Sequence, residues 1–229
     1  MSIKVRWIDG FPVKYRPDTT DEKVLKEVVD KHCYRKVRSN FDVEPGEVWL
    51  DLGANIGAFA VYCKVMKATA VCYEPDPKCF ELLKFNAKGF EIFNTAVTSS
   101  KDSKIEFFSS KNTKDNYRGS VIKTKTAIPQ DSVNNIWCGE LTGSFDGIKM
   151  DIEGSEFGLL DDDLLPDCKK LCLEYHTKRD SSVDNLSRRI NYLKDRFDHL
   201  SYPPELDRLI EAGVDANTYF DRLIFCWND

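Results

Sequence analysis

The residues best equipped for chemistry fall where apolar runs end. Asp51, Gly53, Asn55 and Gly57 occupy alternate positions after Val48-Trp49-Leu50, and Glu74 closes the next apolar run, Val71-Cys72-Tyr73. Glycines after a strand let backbone approach a ligand closely, and a carboxylate ending the following strand accepts both hydrogen bonds of a ribose diol. A dinucleotide site wants Gly-x-Gly-x-x-Gly, whose second glycine admits a pyrophosphate over a helix N-terminus. Here Asp51, two residues ahead of Gly53, would repel a pyrophosphate and suits an ammonium group. That charge pattern fits S-adenosylmethionine (SAM), with its amino-acid tail and sulfonium, better than a nicotinamide dinucleotide. A tight strand-to-helix turn without a ligand is the plainer alternative.

A second set lies further along the chain. Lys149, Asp151 and Glu153 alternate at the end of one apolar run, and Glu174 and His176 at the end of another. Strand side chains alternate, so each set shares a face, and if the two strands are neighbours the sets converge above one point of the sheet. His176 is the natural general base there, oriented by Glu174 or Asp151, because imidazole titrates near neutrality. Alternatively Asp151, Glu153, Glu174 and His176 hold a divalent ion, magnesium or manganese rather than zinc given the oxygen-rich donors. With only one histidine in the set, a metal-free base is favoured. Lys149 either takes part in the chemistry or simply neutralises Asp151. Tyr117, Arg118 and Ser120 follow a long polar loop, the kind of segment that contacts an acceptor.

The elements that position these groups read as alternating strands and helices from Val48 onward, an α/β pattern with a mostly parallel sheet and helices on both faces. Expected strands are Val48 to Asp51, Val71 to Glu74, Glu91 to Val97, Lys104 to Phe108, Gly147 to Asp151 and Lys170 to His176. Phe197 to Tyr202 and Arg222 to Trp227 read as a closing antiparallel hairpin at one edge. Ahead of this core, Lys4 to Lys14 reads as a hairpin around Asp9-Gly10, and Thr19-x-x-Glu22 as a capping box opening a helix. The 229 residues are therefore expected to form one domain, with residues 1–45 as a hairpin-and-helix extension and 46–229 as the SAM-binding catalytic core.

Composition narrows the partners. The net charge of −5 is well mixed, so no electrostatic footprint for nucleic acid stands out. No long apolar run exists and Met1 to Arg6 lacks an export-signal core, which predicts a soluble, cytoplasmic chain without a membrane span. The eight cysteines form no C-x-x-C pair and read as free, buried thiols.

Asp51-Leu-Gly-Ala-Asn-Ile-Gly57, Glu74-Pro75, Asn94-Thr-Ala-Val97, Gly119-Ser-Val121, Lys149-Met-Asp-Ile-Glu-Gly-Ser-Glu156 and Glu174-Tyr-His176, in this order, resemble the FkbM family of SAM-dependent methyltransferases. The Lys-x-Asp-x-Glu-Gly-x-Glu element is the specific part. The resemblance implies a class I methyltransferase, Rossmann-like fold, SAM as donor, and O-methylation of a hydroxyl on a sugar, polyketide or other small molecule. In that fold Asn94 and Ala96 would lie near the adenine. Two other readings stay open. An RNA ribose 2′-O-methyltransferase uses a lysine-carboxylate set that Lys149, Asp151 and Glu174 partly mimic, and a SAM-binding sensor would bind without catalysis.

Overall fold

Five-residue apolar runs alternate with amphipathic ones, and the chain settles as strands covered by helices. The computed structural model describes residues 2–36, 39, 41–110, 119–121, 123, 127–129, 132–176, 183–204 and 221–229. The first part comprises β1 (Lys4–Ile8), β2 (Phe11–Tyr15), α1 (Asp21–Leu25) continuing as a π-helical turn (Lys26–Asp30), β3 (Val48–Leu52), α2 (Ala58–Val65), β4 (Thr69–Tyr73), α3 (Pro77–Asn86) and β5 (Glu91–Phe93). Then come β6 (Ala96–Thr98), β7 (Lys104–Ile105), β8 (Phe108–Ser110), β9 (Ala127–Pro129), β10 (Val133–Trp137), β11 (Phe145–Met150), α4 (Glu156–Asp161), β12 (Cys168–His176), α5 (Val183–Arg196), β13 (His199–Ser201) and β14 (Asp221–Trp227).

The seven-stranded central sheet has the order β13-β14-β12-β11-β3-β4-β5. From β12 to β5 neighbours are parallel, whereas β14 runs antiparallel to both β12 and β13. This is the expected mostly parallel sheet with an antiparallel closing strand. The order reverses between β3 and β11, so a crevice opens beyond their carboxyl ends, where open α/β sheets collect ligands. Two apolar layers flank the sheet. Trp49, Cys72 and Cys172 point toward α2, α3 and the N-terminal helix, while Leu50, Leu52, Ile148, Met150, Leu171 and Leu173 point toward α4 and α5. Each such fully buried aliphatic side chain contributes about 1.5–3 kcal/mol of burial. All eight cysteines are free. Among the described residues no helix is long and apolar enough to cross a membrane.

Three local expectations change. The run Glu91 to Val97 is two strands: β5 pairs with β4, but β6 joins β10 and β7 in a separate three-stranded sheet. The break is made by Asn94, whose side-chain amide donates to the carbonyls of Glu74 and Pro75 at 2.8 and 3.1 Å and turns the chain. Strand β7 likewise ends at Ile105, and Phe108 starts β8, which pairs with β9. The capping box does not form. Asp21 draws the helix start to itself by pairing with Arg16 through Nε at 2.8 Å and Nη2 at 3.0 Å, leaving Thr19 to accept only the Asp21 amide.

Candidate functional site

The strand-to-helix turn after β3 is built on a close backbone approach. Gly53 has φ +77°, and a Cβ there would lie 1.8 Å from the Asp151 carbonyl oxygen. The amides of Gly53 and Ala54 both donate to the Tyr73 carbonyl, at 3.0 and 2.9 Å, tying the turn to the end of β4. Gly57, also left-handed at φ 89°, caps α2. Gly53→Ala is therefore expected to force β3 and β11 apart at their ends and to cost several kcal/mol, at least the ~1–3 kcal/mol of the strained backbone alone. A urea titration showing the variant within about 0.5 kcal/mol of the native protein would contradict this geometry.

Glu74 completes the turn from the other side. Its carboxylate accepts the Asn55 amide at 2.6 Å and the Asp76 amide at 2.7 Å. Each oxygen keeps lone pairs for a further donor, which is what two ribose hydroxyls require. The hollow above it is lined by Gly53, Asn55, Tyr73, Asp76 and Ala96, with Phe107 and Ser120 across the gap. Asn94 is not in that lining; it acts behind the wall through the Glu74 and Pro75 carbonyls. Burial pushes the Glu74 carboxyl up to about 8, against the pull of its two backbone donors. Below that value it is mostly a neutral acid with less acceptor strength. Nucleoside binding at Glu74 should thus tighten by about tenfold from pH 7 to pH 9, and Glu74→Gln should abolish the dependence; calorimetry at the two pH values measures it.

Asp51 sits lower than its place in the motif implied. It is fully buried, outside the lining of both hollows, and its Oδ1 faces the Lys149 ammonium at 3.1 Å. Burial pushes the Asp51 carboxyl up and Lys149 pulls it back. Lys149 also donates to the Gly53 carbonyl at 2.7 Å. Burial opposes its charge, but Asp51 and Asp151 outweigh burial, so it stays a permanent cation. Its observed place is thus a brace: it joins β11 to the glycine turn and neutralises Asp51 rather than Asp151.

Beyond the end of β11, Asp151, Glu153 and His176 converge. The His176 ring is buried, with Nε2 at 3.7 Å from Asp151 Oδ1 and 3.6 Å from Glu153 Oε2. The orienting carboxylate is neither Glu174 nor Asp151 but Glu156, whose Oε1 meets His176 Nδ1 at 2.9 Å and also accepts the His176 amide at 3.1 Å. Burial disfavours a charged ring, yet Glu156, then Glu153 and Asp151, reverse this and hold its pKa well above the ordinary value. Its Nδ1 is engaged by Glu156, and its Nε2 faces the two further carboxylates. Glu156 is absent from the catalytic set expected from sequence; its signal is its place as the last acid of Lys149-Met-Asp-Ile-Glu-Gly-Ser-Glu156. Glu153 holds a left-handed φ of 53°, and Ser120 Oγ donates to its carbonyl at 2.8 Å. Ser120 therefore meets the site through Glu153. Tyr117 and Arg118 lie outside the described residues.

A second hollow, about 550 Å³, adjoins the first and is walled by the N-terminal helix: Lys23, Val24, Glu27 and Val28 face Cys33, Tyr34, Phe59, Lys149 and Glu174. Glu174 belongs here, not with His176. Gly53, Asn55 and Asp151 line both hollows. Burial pushes the Cys33 thiol to about 12, so it stands in the wall as a neutral group. The arrangement offers one hollow edged by a diol acceptor, a second with acidic and apolar walls, and a carboxylate at their junction.

A family model described as methyltransferase FkbM domain matches residues 51–200. No curated protein matches in sequence. Similar solved structures include the tRNA m1G37 methyltransferase of M. jannaschii, at 12% identity and TM-score 0.44 over 99% of this chain and 57% of that one. Another is precorrin-6y C5,15-methyltransferase of Geobacter metallireducens, at 12% identity and TM-score 0.45 over 96% of this chain and 95% of that one. A methyltransferase of Pyrococcus furiosus aligns at 14% identity and TM-score 0.46 over 96% and 90%. The chain spans little more than half the length of the first of these.

Proposed function

The chain belongs to the methyltransferase FkbM domain family, and from that premise we propose that it is a SAM-dependent O-methyltransferase whose acceptor is a hydroxyl of a sugar or similar polar small molecule. One observation carries the reading: Asp151 stands at the junction of the two hollows, with Glu74 in one and Glu27 and Glu174 in the other. SAM sets its ribose diol on Glu74 in the first hollow, which holds about 50 Å³, and extends past the junction at Asp151 into the second, with its sulfonium near that junction. The acceptor enters the second, a volume within the range of small-molecule sites.

Methyl transfer aligns an acceptor oxygen behind the methyl carbon, opposite the departing sulfur. The new O–C bond forms as the C–S bond breaks, sulfur leaves with the bond pair as neutral S-adenosylhomocysteine, and the acceptor proton passes to a base. In this reading Asp151 accepts that proton, and Glu156 fixes the His176 ring behind it. Alignment contributes most of the rate, with effective molarities of roughly 10⁵ M or more for well-oriented pairs.

RNA is the second reading, and the walls of the acceptor hollow count against it. Among the described residues Asp151, Glu27 and Glu174 line it, Lys149 pairs with Asp51, and Lys23 pairs with Glu27 at 3.8 Å. A polyanion gains its affinity from several basic contacts. Transfer of a labelled methyl group from SAM onto a panel of glycans, small polar alcohols and oligonucleotides tests the proposal. Label in the glycan or alcohol fraction supports it, and label confined to oligonucleotides, or none, overturns it.

A further inference from the structure

We propose that Asp151, Glu153 and His176 form a binding site for one divalent cation of the magnesium or manganese class. Asp151 Oδ1 and Glu153 Oε2 stand 3.7 and 3.6 Å from His176 Nε2, beyond the reach of a hydrogen bond. One ligand atom from each of the three residues lies within 4.8 Å of the others. Donors bound to one ion at about 2.1–2.2 Å stand roughly 3–3.7 Å apart for ordinary coordination angles, so these spacings match a shared ion better than direct contact.

The imidazole is the observation that sets this group apart from an exposed acidic cluster. His176 is 4% exposed, and its Nε2 is aimed into the gap between the two carboxylates. Its Nδ1 is fixed at 2.9 Å by the fully buried Glu156, the carboxylate–histidine arrangement that orients metal-bound imidazoles. Glu156 in turn accepts the Gly154 amide at 2.6 Å and the His176 amide at 3.1 Å, so the orienting group is itself held. Glu174, the fourth member of the set expected from sequence, faces the second hollow and is outside the group.

Two carboxylate oxygens suit either ion, the imidazole favours manganese over magnesium, and the set leaves coordination positions for water and an incoming alcohol. A bound ion would lower the pKa of an alcohol attached to it. That use rests on the proposed transferase reading, whereas binding of the ion does not.

The test is a titration of the full chain with Mn²⁺ alone, without SAM, following loss of the free-ion electron paramagnetic resonance signal. One ion per chain, displaced by Mg²⁺ and weakened at least tenfold in Glu153→Gln, is the expected result. Because a variant can fail to fold, thermal melting is recorded alongside: Mn²⁺ should raise the native midpoint and leave that of a cooperatively melting Glu153→Gln or His176→Gln variant unmoved. Absence of saturable Mn²⁺ binding to the native chain overturns the site, as does affinity unchanged in Glu153→Gln. If Mn²⁺ binds as expected but SAM does not, the function fails and the cation site stands.

Discussion

Glu74→Ala is expected to weaken SAM binding by about a hundredfold or more. The effect is read at pH 9, above the value of about 8 for the Glu74 carboxyl, where in the proposed complex the carboxylate accepts two ribose hydroxyls and hydrogen bonds to a charged group contribute about 1.5–3 kcal/mol each. The same oxygens hold the Asn55 amide at 2.6 Å and the Asp76 amide at 2.7 Å, so removing them also loosens both sides of the first hollow. Glu74→Gln retains one acceptor oxygen and should lose less, about tenfold. Calorimetric titration of SAM into each variant reads the effect, and a Glu74→Ala affinity equal to the native one would remove the ribose from this place.

Asp151→Asn is expected to leave SAM affinity within about threefold while lowering turnover by about a thousandfold, in the range of general acid–base effects. The substitution preserves shape. It also preserves the Asp151 carbonyl that packs against Gly53 and the Asp151 amide that donates to the Leu52 carbonyl at 3.0 Å, so the glycine turn should survive. What disappears is the carboxylate at the junction of the two hollows, and with it the proposed proton acceptor and one arm of the proposed cation site. Single-turnover transfer of labelled methyl at saturating SAM separates the chemical step from binding. A residual rate within threefold of the native one would assign Asp151 a structural part only.

The strand ends were legible in sequence because their signal is local. A short apolar run, a glycine and an acid within seven residues require no knowledge of what packs nearby, and Asp51 to Gly57, Glu74 and Lys149 to Glu153 all fall at the carboxyl edge of neighbouring strands. The partners of those residues were less legible. Lys149 and Asp51 meet only because β11 lies beside β3, in a register that sets Lys149 opposite Asp51. Glu156 and His176 meet because the start of α4 lies under the end of β12. The place of the N-terminal helix along the second hollow is likewise a tertiary fact: Val24 and Val28 mark an amphipathic helix, and nothing in their spacing says which crevice its polar residues Lys23 and Glu27 border. Asn94 shows a side chain overriding a local pattern, since the run around it is apolar enough for one continuous strand.

In the proposed transferase one molecule of SAM bridges Glu74 and Asp151. The most direct measurement is a crystal structure of the chain with S-adenosylhomocysteine. Both ribose hydroxyls are expected within hydrogen-bond distance of the Glu74 carboxylate, with the sulfur at the junction of the hollows, facing the side lined by Asp151 and Glu174. A ligand bound with its ribose away from Glu74, or its sulfur turned from Asp151, would contradict it.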